Sequence, residues 1–250
     1  MASNTSKIRL DQYLVDNHFA ASRSRARDAI LRGLVRVNGA VATKPGLSIN
    51  GSETVRFDDP SSAYVSRAAL KLVHGLEKSG FDVADKHCLD IGASTGGFSQ
   101  VLLQHGAMSV VALDVGHGQL HSTIRKDERV TVLENTNARA LTVDLLGGKP
   151  LQFIVSDVSF ISLKLALPPA FQLAEAGSQC VLLVKPQFEV GRGKIGKNGI
   201  VSEEDAAASS ADLYDWLDYQ AGWRSIGIDR SPIKGGDGNT EFLLWGEKSL

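Results

Sequence analysis

Three charged residues stand where apolar runs begin or end, a fourth lies on a helix that could reach the same rim, and the strand ends of an open α/β sheet are where such folds do their chemistry. Asp157 closes one run in Val155-Ser156-Asp157-Val158-Ser159-Phe160, and Lys185 closes another after Leu182-Leu183-Val184. Glu241 opens the run Phe242-Leu243-Leu244, and Lys71 lies on an amphipathic segment just before the central glycine corner. A lysine that has lost its proton can take one from a hydroxyl, and neighbouring carboxylates can orient the groups involved. Each charge alone would suit an ordinary ion pair; three at strand ends, with Lys71 on a helix that could reach the same rim, single the set out.

A second constellation is Cys88-Leu89-Asp90-Ile91-Gly92-Ala93-Ser94-Thr95-Gly96-Gly97-Phe98-Ser99. It reads as a short buried strand, a glycine turn and a helix start. Free N–H groups and the positive end of a helix dipole then face the carboxyl end of the strand, a site of nucleotide size. Asp114 ends the next apolar run, where an acid suits ribose hydroxyls. The order Gly92-Ala93-Ser94-Thr95-Gly96-Gly97 departs from Gly-x-Gly-x-x-Gly, which argues against a nicotinamide dinucleotide.

These residues need a scaffold, and the alternation of apolar and helical runs supplies one. Strands are expected near 87–91, 109–114, 130–134, 151–156 and 179–184, with helices near 97–105, 119–126, 143–146 and 163–174. Ser66–Ser79 reads as a helix with Ala69, Leu72, Val73 and Leu76 inward, and 203–221 as another. An antiparallel pair, 223–229 and 240–245, closes the sheet around Lys234-Gly235-Gly236-Asp237-Gly238. Directly after the strand near 179–184, residues 187–199 hold four glycines and three cations, which reads as a mobile basic loop.

The first part of the chain is different in character. Up to Phe57 nine basic residues face four acidic ones, a net +5 inside a chain of net −1, so the remainder carries −6. A basic head on an acidic body suggests a polyanionic partner. Residues 7–18 read as a short helix, Ser22 as the cap of a second helix over 23–32, and Gly33 as its stop. Strands follow at 34–37, 40–43 and 53–57, with Asn38-Gly39 as a hairpin turn. Asp58-Asp59-Pro60-Ser61-Ser62 is rich in structure breakers and marks a boundary.

The head resembles the small RNA-binding module shared by a bacterial small-subunit ribosomal protein, tyrosyl-tRNA synthetases and several pseudouridine synthases. The resemblance rests on Arg9-Leu10-Asp11-x-x-Leu14, Ser22-Arg23-Ser24-x-Ala26 and Ile30-x-x-Gly33-x-Val35-x-Val37-Asn38-Gly39. In the body, Lys71, Asp157, Lys185 and Glu241 follow the order of the Lys–Asp–Lys–Glu tetrad of FtsJ-like ribose 2′-O-methyltransferases. A basic head on such a body is similar to the TlyA, or haemolysin A-like, family. Tyr64-Val65-Ser66-Arg67-x-x-x-Lys71-Leu72, Asp90 to Phe98, Thr136-Asn137-Ala138-Arg139 and Val184-Lys185-Pro186-Gln187-Phe188-Glu189 all look like its motifs.

The resemblance implies an α/β fold: a doubly wound, mostly parallel, seven-stranded methyltransferase sheet (66–250), joined by a linker (60–65) to a small N-terminal α+β RNA-binding domain (1–59). It implies S-adenosylmethionine as cofactor, held by Asp90, Gly92, Ser94, Thr95, Gly96, Gly97, Phe98, Asp114 and Asn137. It implies a 2′-hydroxyl of a ribosomal RNA cytidine as substrate, with Lys71, Asp157, Lys185 and Glu241 catalytic and Lys185 taking the proton. RNA contacts are expected from Arg9, Arg23, Arg25, Arg27, Arg67, Arg192, Lys194 and Lys197. In the family, some members with a longer C-terminal tail act on both ribosomal subunits and shorter ones on the large subunit only; this chain stops at Gly246-Glu247-Lys248-Ser249-Leu250, so the resemblance implies large-subunit RNA alone.

Alternatives are a base methyltransferase, which usually clamps an extruded base with an Asn-Pro-type motif not found here, and a non-catalytic RNA-binding assembly factor. A hydrophobic content of 43% with 22% charged residues suits a soluble globular chain, and no apolar run approaches the roughly 20 residues of a membrane helix. Met1–Lys7 lacks the apolar core of a signal peptide, so a cytoplasmic protein is expected, with no metal, no membrane and no obligate protein partner. Cys88 and Cys180 each sit in an apolar run and are expected as free buried thiols.

Overall fold

The computed structural model describes residues 7–249; most of Met1–Lys7, the stretch read for a leader, and the final Leu250 lie outside them. The chain divides into two compact units, Met1–Ala63 and Tyr64–Leu250.

In the first unit, β1 (Ile8–Arg9) runs straight into α1 (Leu10–Asp16), and α2 (Arg23–Leu31) follows. Three-residue β2 (Val35–Val37) then pairs with β3 (Ala40–Val41) and β5 (Val55–Phe57), while β4 (Ser48–Ile49) pairs with β1. Ser22 caps α2 as expected, its hydroxyl accepting from Arg25 N at 3.3 Å. The expected helix over 7–18 is shorter, because Ile8 and Arg9 are drawn into a strand by Ile49 and Ser48. Leu10, Leu14, Ala26, Ala29, Ile30 and Val35 form this unit's own core. Residues 59–63, expected in part as linker, belong to it: Pro60–Ala63 is a 3-10 turn, and Arg32 donates to Asp59 at 2.8 Å.

The second unit opens with α3 (Ala69–Ser79), β6 (His87–Ile91), α4 (Gly97–Gln104) and β7 (Ser109–Leu113). Then come α5 (Ser122–Arg125), β8 (Val130–Leu133), β9 (Leu151–Ser156), α6 (Leu163–Ala166), α7 (Pro168–Leu173) and β10 (Ala174–Val184). The chain closes with α8 (Pro186–Glu189), α9 (Glu203–Asp218), β11 (Trp223–Arg230) and β12 (Phe242–Lys248). The seven strands lie in the order β11-β12-β10-β9-β6-β7-β8, parallel from β10 to β8 and antiparallel through β12 and β11.

Strand residues alternate between two cores, which is why these runs are apolar throughout. Leu89, Ile91, Val111, Leu113, Ile154, Leu182 and Val184 face Leu163, Leu167, Leu213 and Leu217 of α6, α9 and the residue between α6 and α7. Cys88, Val110, Ala112, Phe153, Val155, Val181 and Leu183 face Leu72, Leu76, Val101 and Leu102 of α3 and α4. Both cysteines are free and buried, and burial pushes the Cys88 thiol up to about 12.

Several expected helices are corrected. The segment 66–68 is a turn, held by Ser66 Oγ accepting from Ala68 N at 3.2 Å, so α3 begins at Ala69. Residues 143–146 form a turn rather than a helix; Gly147 and Gly148 follow at φ +67° and +68°, leaving too few residues to nucleate one. The 119–126 helix shrinks to the four residues of α5. The 163–174 helix breaks into α6 and α7 at Pro168, which has no N–H to continue the ladder. Residues 174–178, expected as helix end and connector, extend β10, with a register shift between Ala174 and Gln179. The segment 187–199 is not plain loop: it holds most of α8, 3-10 turns at Arg192–Lys194 and Lys197–Gly199, and a bridge from Ile195 to Val201.

Candidate active site

The strand order places Glu241, Lys185, Asp157 and Gly92 at consecutive positions along one rim, at the ends of β12, β10, β9 and β6. Val184 pairs with Phe242 across β10 and β12, so Lys185 and Glu241 lie one residue beyond that pair. Lys185 Nζ stands 2.6 Å from Asp157 Oδ1, a charge contact outside hydrogen-bond geometry, and donates to Ser159 Oγ at 2.9 Å. Lys71 Nζ donates to Glu241 Oε2 at 2.6 Å, and both side chains are buried. All four expected catalytic residues are thus brought into two lysine–carboxylate pairs on one edge. Lys71 reaches Glu241 because Gly75, one turn on, lets α3 lie against Val181 of β10; a Cβ there would come 2.7 Å from Val181 Cγ1.

Two cavities flank this edge. A small one of about 70 Å³ is lined by Ser66, Ala68, Gly92, Ala93, Ser94, Thr95, Gly97, Phe98 and Asp157. A larger one of about 560 Å³ is bordered by Gly92, Ser94, Asp114, Asn137, Asp157 and Phe160 among others. That volume suits a nucleoside-sized ligand. The Asp114 carboxylate accepts from Ser94 N and Gly116 N, both at 2.7 Å, and so fixes the corner while leaving further lone pairs toward the larger cavity. Asn137 borders the same cavity and caps the turn Ala138–Ala140, accepting from Arg139 N at 3.0 Å. Eight of the nine expected cofactor contacts are therefore cavity-lining or begin α4 beside the cavities.

Asp90 behaves differently. It is 0% exposed, lines neither cavity, and accepts from Ser99 Oγ at 2.7 Å, tying β6 to α4. Its Oδ1 has no partner among the described residues, and burial pushes its carboxyl up to about 7. The glycines also serve packing. Gly92 holds φ +84° with Asp157 O where a Cβ would come 2.8 Å away, and Gly96 holds φ +94° against Leu120. A side chain at either position would spread the corner, and their own N–H groups are spent on Leu113 O at 2.8 Å and Ala93 O at 2.7 Å, so what these two glycines supply is the tight turn itself.

The set fits S-adenosylmethionine: a cavity of nucleoside size bordered by the Asp114 carboxylate and the Asn137 amide, next to the glycine corner that leads into the N-terminus of α4.

Sequence reasoning missed three features of the rim. Phe160 is 91% exposed at φ +64°, its ring centroid 5.2 Å from that of Phe188. An aromatic among small polar residues at a strand end was the available signal. Glu189 accepts from Leu163 N at 2.8 Å and from Ser162 Oγ, binding the segment after Lys185 to the segment after Asp157. Asn239 is buried, accepts from Val201 N and donates to Gly199 O, each at 2.9 Å, and so anchors the end of the basic segment.

The expected RNA contacts divide. Arg27, Arg192 and Lys197 are exposed, while Lys194 is paired with Asp205 at 2.7 Å. Arg25 is half-buried and donates to Ser61 O at 2.6 Å, and Arg67 is half-buried near Gly236. Arg9 and Arg23 both reach the same buried acid, Asp11.

Comparison with known proteins agrees with this geometry. Residues 64–248 match the FtsJ-like methyltransferase family, and residues 8–55 match the S4 domain. The 16S/23S rRNA (cytidine-2′-O)-methyltransferase TlyA of Mycobacterium tuberculosis is 44% identical over 96% of this chain and 89% of its own length. The 23S rRNA (cytidine-2′-O)-methyltransferase TlyA of Campylobacter jejuni is 39% identical over 78% of this chain and 75% of its own. A solved structure from Streptococcus thermophilus, described as a hemolysin, superposes with a TM-score of 0.76 at 40% identity, covering 98% of this chain and 90% of that one. With an S4 domain ahead of an FtsJ-like methyltransferase domain and relatives of this identity along nearly its whole length, the chain belongs to the TlyA family of rRNA methyltransferases.

Proposed function

We propose that this protein transfers a methyl group from S-adenosylmethionine to the 2′-hydroxyl of a cytidine ribose in ribosomal RNA, with the large ribosomal subunit as its substrate. The observation that carries the reading is the row Glu241–Lys185–Asp157 beside the glycine corner, with each lysine held by a carboxylate at 2.6 Å. When bound, the cofactor supplies an electrophilic methyl group on a sulfonium.

The protein's own part is to prepare the hydroxyl. Lys185 Nζ, after releasing one of its protons to solvent, takes the proton of the ribose hydroxyl, and Asp157 at 2.6 Å stabilises the ammonium that results. Ser159 fixes the direction of the amine, accepting from it at 2.9 Å. The buried Lys71–Glu241 pair closes the other side of the rim and fixes a positive charge where the ribose oxygen gains negative charge. Asp114 and Asn137 hold the adenosine part, and the N–H groups of Gly97 and Phe98 face the methionine part. The exposed cations of the first unit and of residues 192–197 bind the RNA backbone, which supplies most of the affinity for structured RNA. Large-subunit RNA is common to the names of both TlyA relatives, which supports it as substrate here.

The test is methyl transfer with labelled S-adenosylmethionine to purified ribosomal subunits, followed by mapping of the product nucleotide. A 2′-O-methylcytidine in the large-subunit RNA is expected. Label on a base would overturn the ribose assignment, and label in the small subunit would overturn the restriction to the large one.

A further inference from the structure

The first unit buries one carboxylate beneath two of its arginines. Asp11 lies in the first turn of α1 with its side chain 0% exposed. Arg9 donates to it twice, Nε to Oδ1 at 3.0 Å and Nη2 to Oδ2 at 3.1 Å. Arg23, the first residue of α2, donates Nη2 to Oδ2 at 3.1 Å. Both guanidiniums remain about half exposed, at 53% and 51%. The hydrogen bond from Arg9 outweighs burial and holds the Asp11 carboxyl below its usual range, so it stays charged. Arg9 Nη1 and Arg23 Nε and Nη1 have no hydrogen-bond partner among the described residues, so each fork is held from behind with donors still open.

The turn before β4 completes the arrangement. Leu10 N donates to Leu47 O at 2.8 Å and Asp11 N to Pro45 O at 3.0 Å, which draws residues 45–47 onto the start of α1. Gly46 there lies against the Arg9 guanidinium: a Cβ would come 2.8 Å from Nη1 and 3.2 Å from Cζ. The backbone at Gly46 is not left-handed, so a side chain there would strain no turn and would instead push the Arg9 guanidinium aside.

We propose that Asp11 and Gly46 are positioning residues that fix Arg9 and Arg23 as a single two-guanidinium clamp for one RNA phosphodiester. This rests on the reading of the first unit as the RNA-binding one. A free arginine must give up rotamer entropy to bind a phosphate; a tethered fork has already lost it. The tether has a counter-effect, since it places a negative charge near a polyanion, and that makes the proposal testable.

The experiment measures the affinity of the full chain for purified large ribosomal subunits over a range of salt. Asp11→Asn adds one net positive charge. If the arginines act as untethered point charges, it binds RNA more tightly with a steeper salt dependence. Under the proposal it binds about 10-fold more weakly, and the slope of log K against log salt falls by about 0.7–0.9, one phosphate contact. Gly46→Ala changes no charge and is expected to weaken binding at least about 3-fold by displacing Arg9. It decides the matter where Asp11→Asn fails to fold, which circular dichroism and limited proteolysis of the first unit report. Unchanged or tighter binding by Gly46→Ala and by folded Asp11→Asn overturns the clamp. The double variant Arg23→Ala/Arg27→Ala separates the two readings: if it weakens binding while those two do not, only the clamp falls; if it binds normally, the RNA-binding reading of the unit falls with it.

Discussion

Lys185 is the residue on which the proposed chemistry turns, and arginine is the informative replacement. Lys185→Arg keeps a cation opposite Asp157 and Ser159 but removes a base that can cycle its proton. S-adenosylmethionine binding by calorimetry should stay near normal, while the single-turnover rate falls about 100-fold or more. A near-normal rate would move the base to Asp157 or solvent. Asp90 gives a second prediction at this scale. Its folded-state carboxyl, at about 7, lies above its unfolded value, so the native state binds more protons between about 4 and 7. Stability is therefore lost as pH rises through that window. Asp90→Asn, which can still accept from Ser99, should remove this loss, worth at most about 1.4 kcal/mol for each pH unit of the window. Denaturant melts of both proteins at pH 4.5 and 7.5 measure it; parallel pH profiles would show that Asp90 does not titrate there.

At the scale of elements, the rim depends on short ties between strand ends. Asn239 satisfies Val201 N and Gly199 O, and it stands two residues before Glu241. Asn239→Ala leaves a buried N–H without a partner and should lower stability by about 1–3 kcal/mol. Because the same tie positions the entry to β12, the methyl-transfer rate should fall while S-adenosylmethionine affinity holds. Equal loss of both would mark a general loosening of the sheet. α9 shows the ordinary case: Ser202 Oγ caps it, accepting from Asp205 N at 3.1 Å, and Leu213 and Leu217 bury against β11 and β12. Ser202→Ala should cost about 1 kcal/mol and leave kcat unchanged.

At the scale of the molecule, chemistry and charge are divided between the two units. The first has its own core around Leu10, Leu14, Ile30 and Val35, and the second its two cores on either face of the sheet. A net +3 up to Ala63, set against −4 in the remainder, matches a division into RNA recruitment and methyl transfer. A protein of residues 64–250 should bind S-adenosylmethionine by calorimetry yet methylate ribosomal subunits at less than about 1% of the full rate. Full activity without the first unit would defeat the division of labour.

Much of this was legible from local pattern. A buried parallel sheet demands unbroken apolar runs, so the strands could be read within a residue or two at β6, β7, β8 and β9. The glycine corner and the three strand-end charges Asp157, Lys185 and Glu241 followed, because a strand's end fixes which rim a residue occupies. Residues 143–146, 163–174 and 174–178 were misread because short helices and strand extensions are decided by neighbours and by Pro168, not by their own periodicity. Only the tertiary structure decided the pairings: Lys71 with Glu241 spans 170 residues, and no local rule links them. It likewise decided that Asp90 braces a helix, that Arg25 turns to Ser61, and that Arg9 and Arg23 share Asp11, since burial and hydrogen-bond partners are properties of the packed chain and not of the residue type.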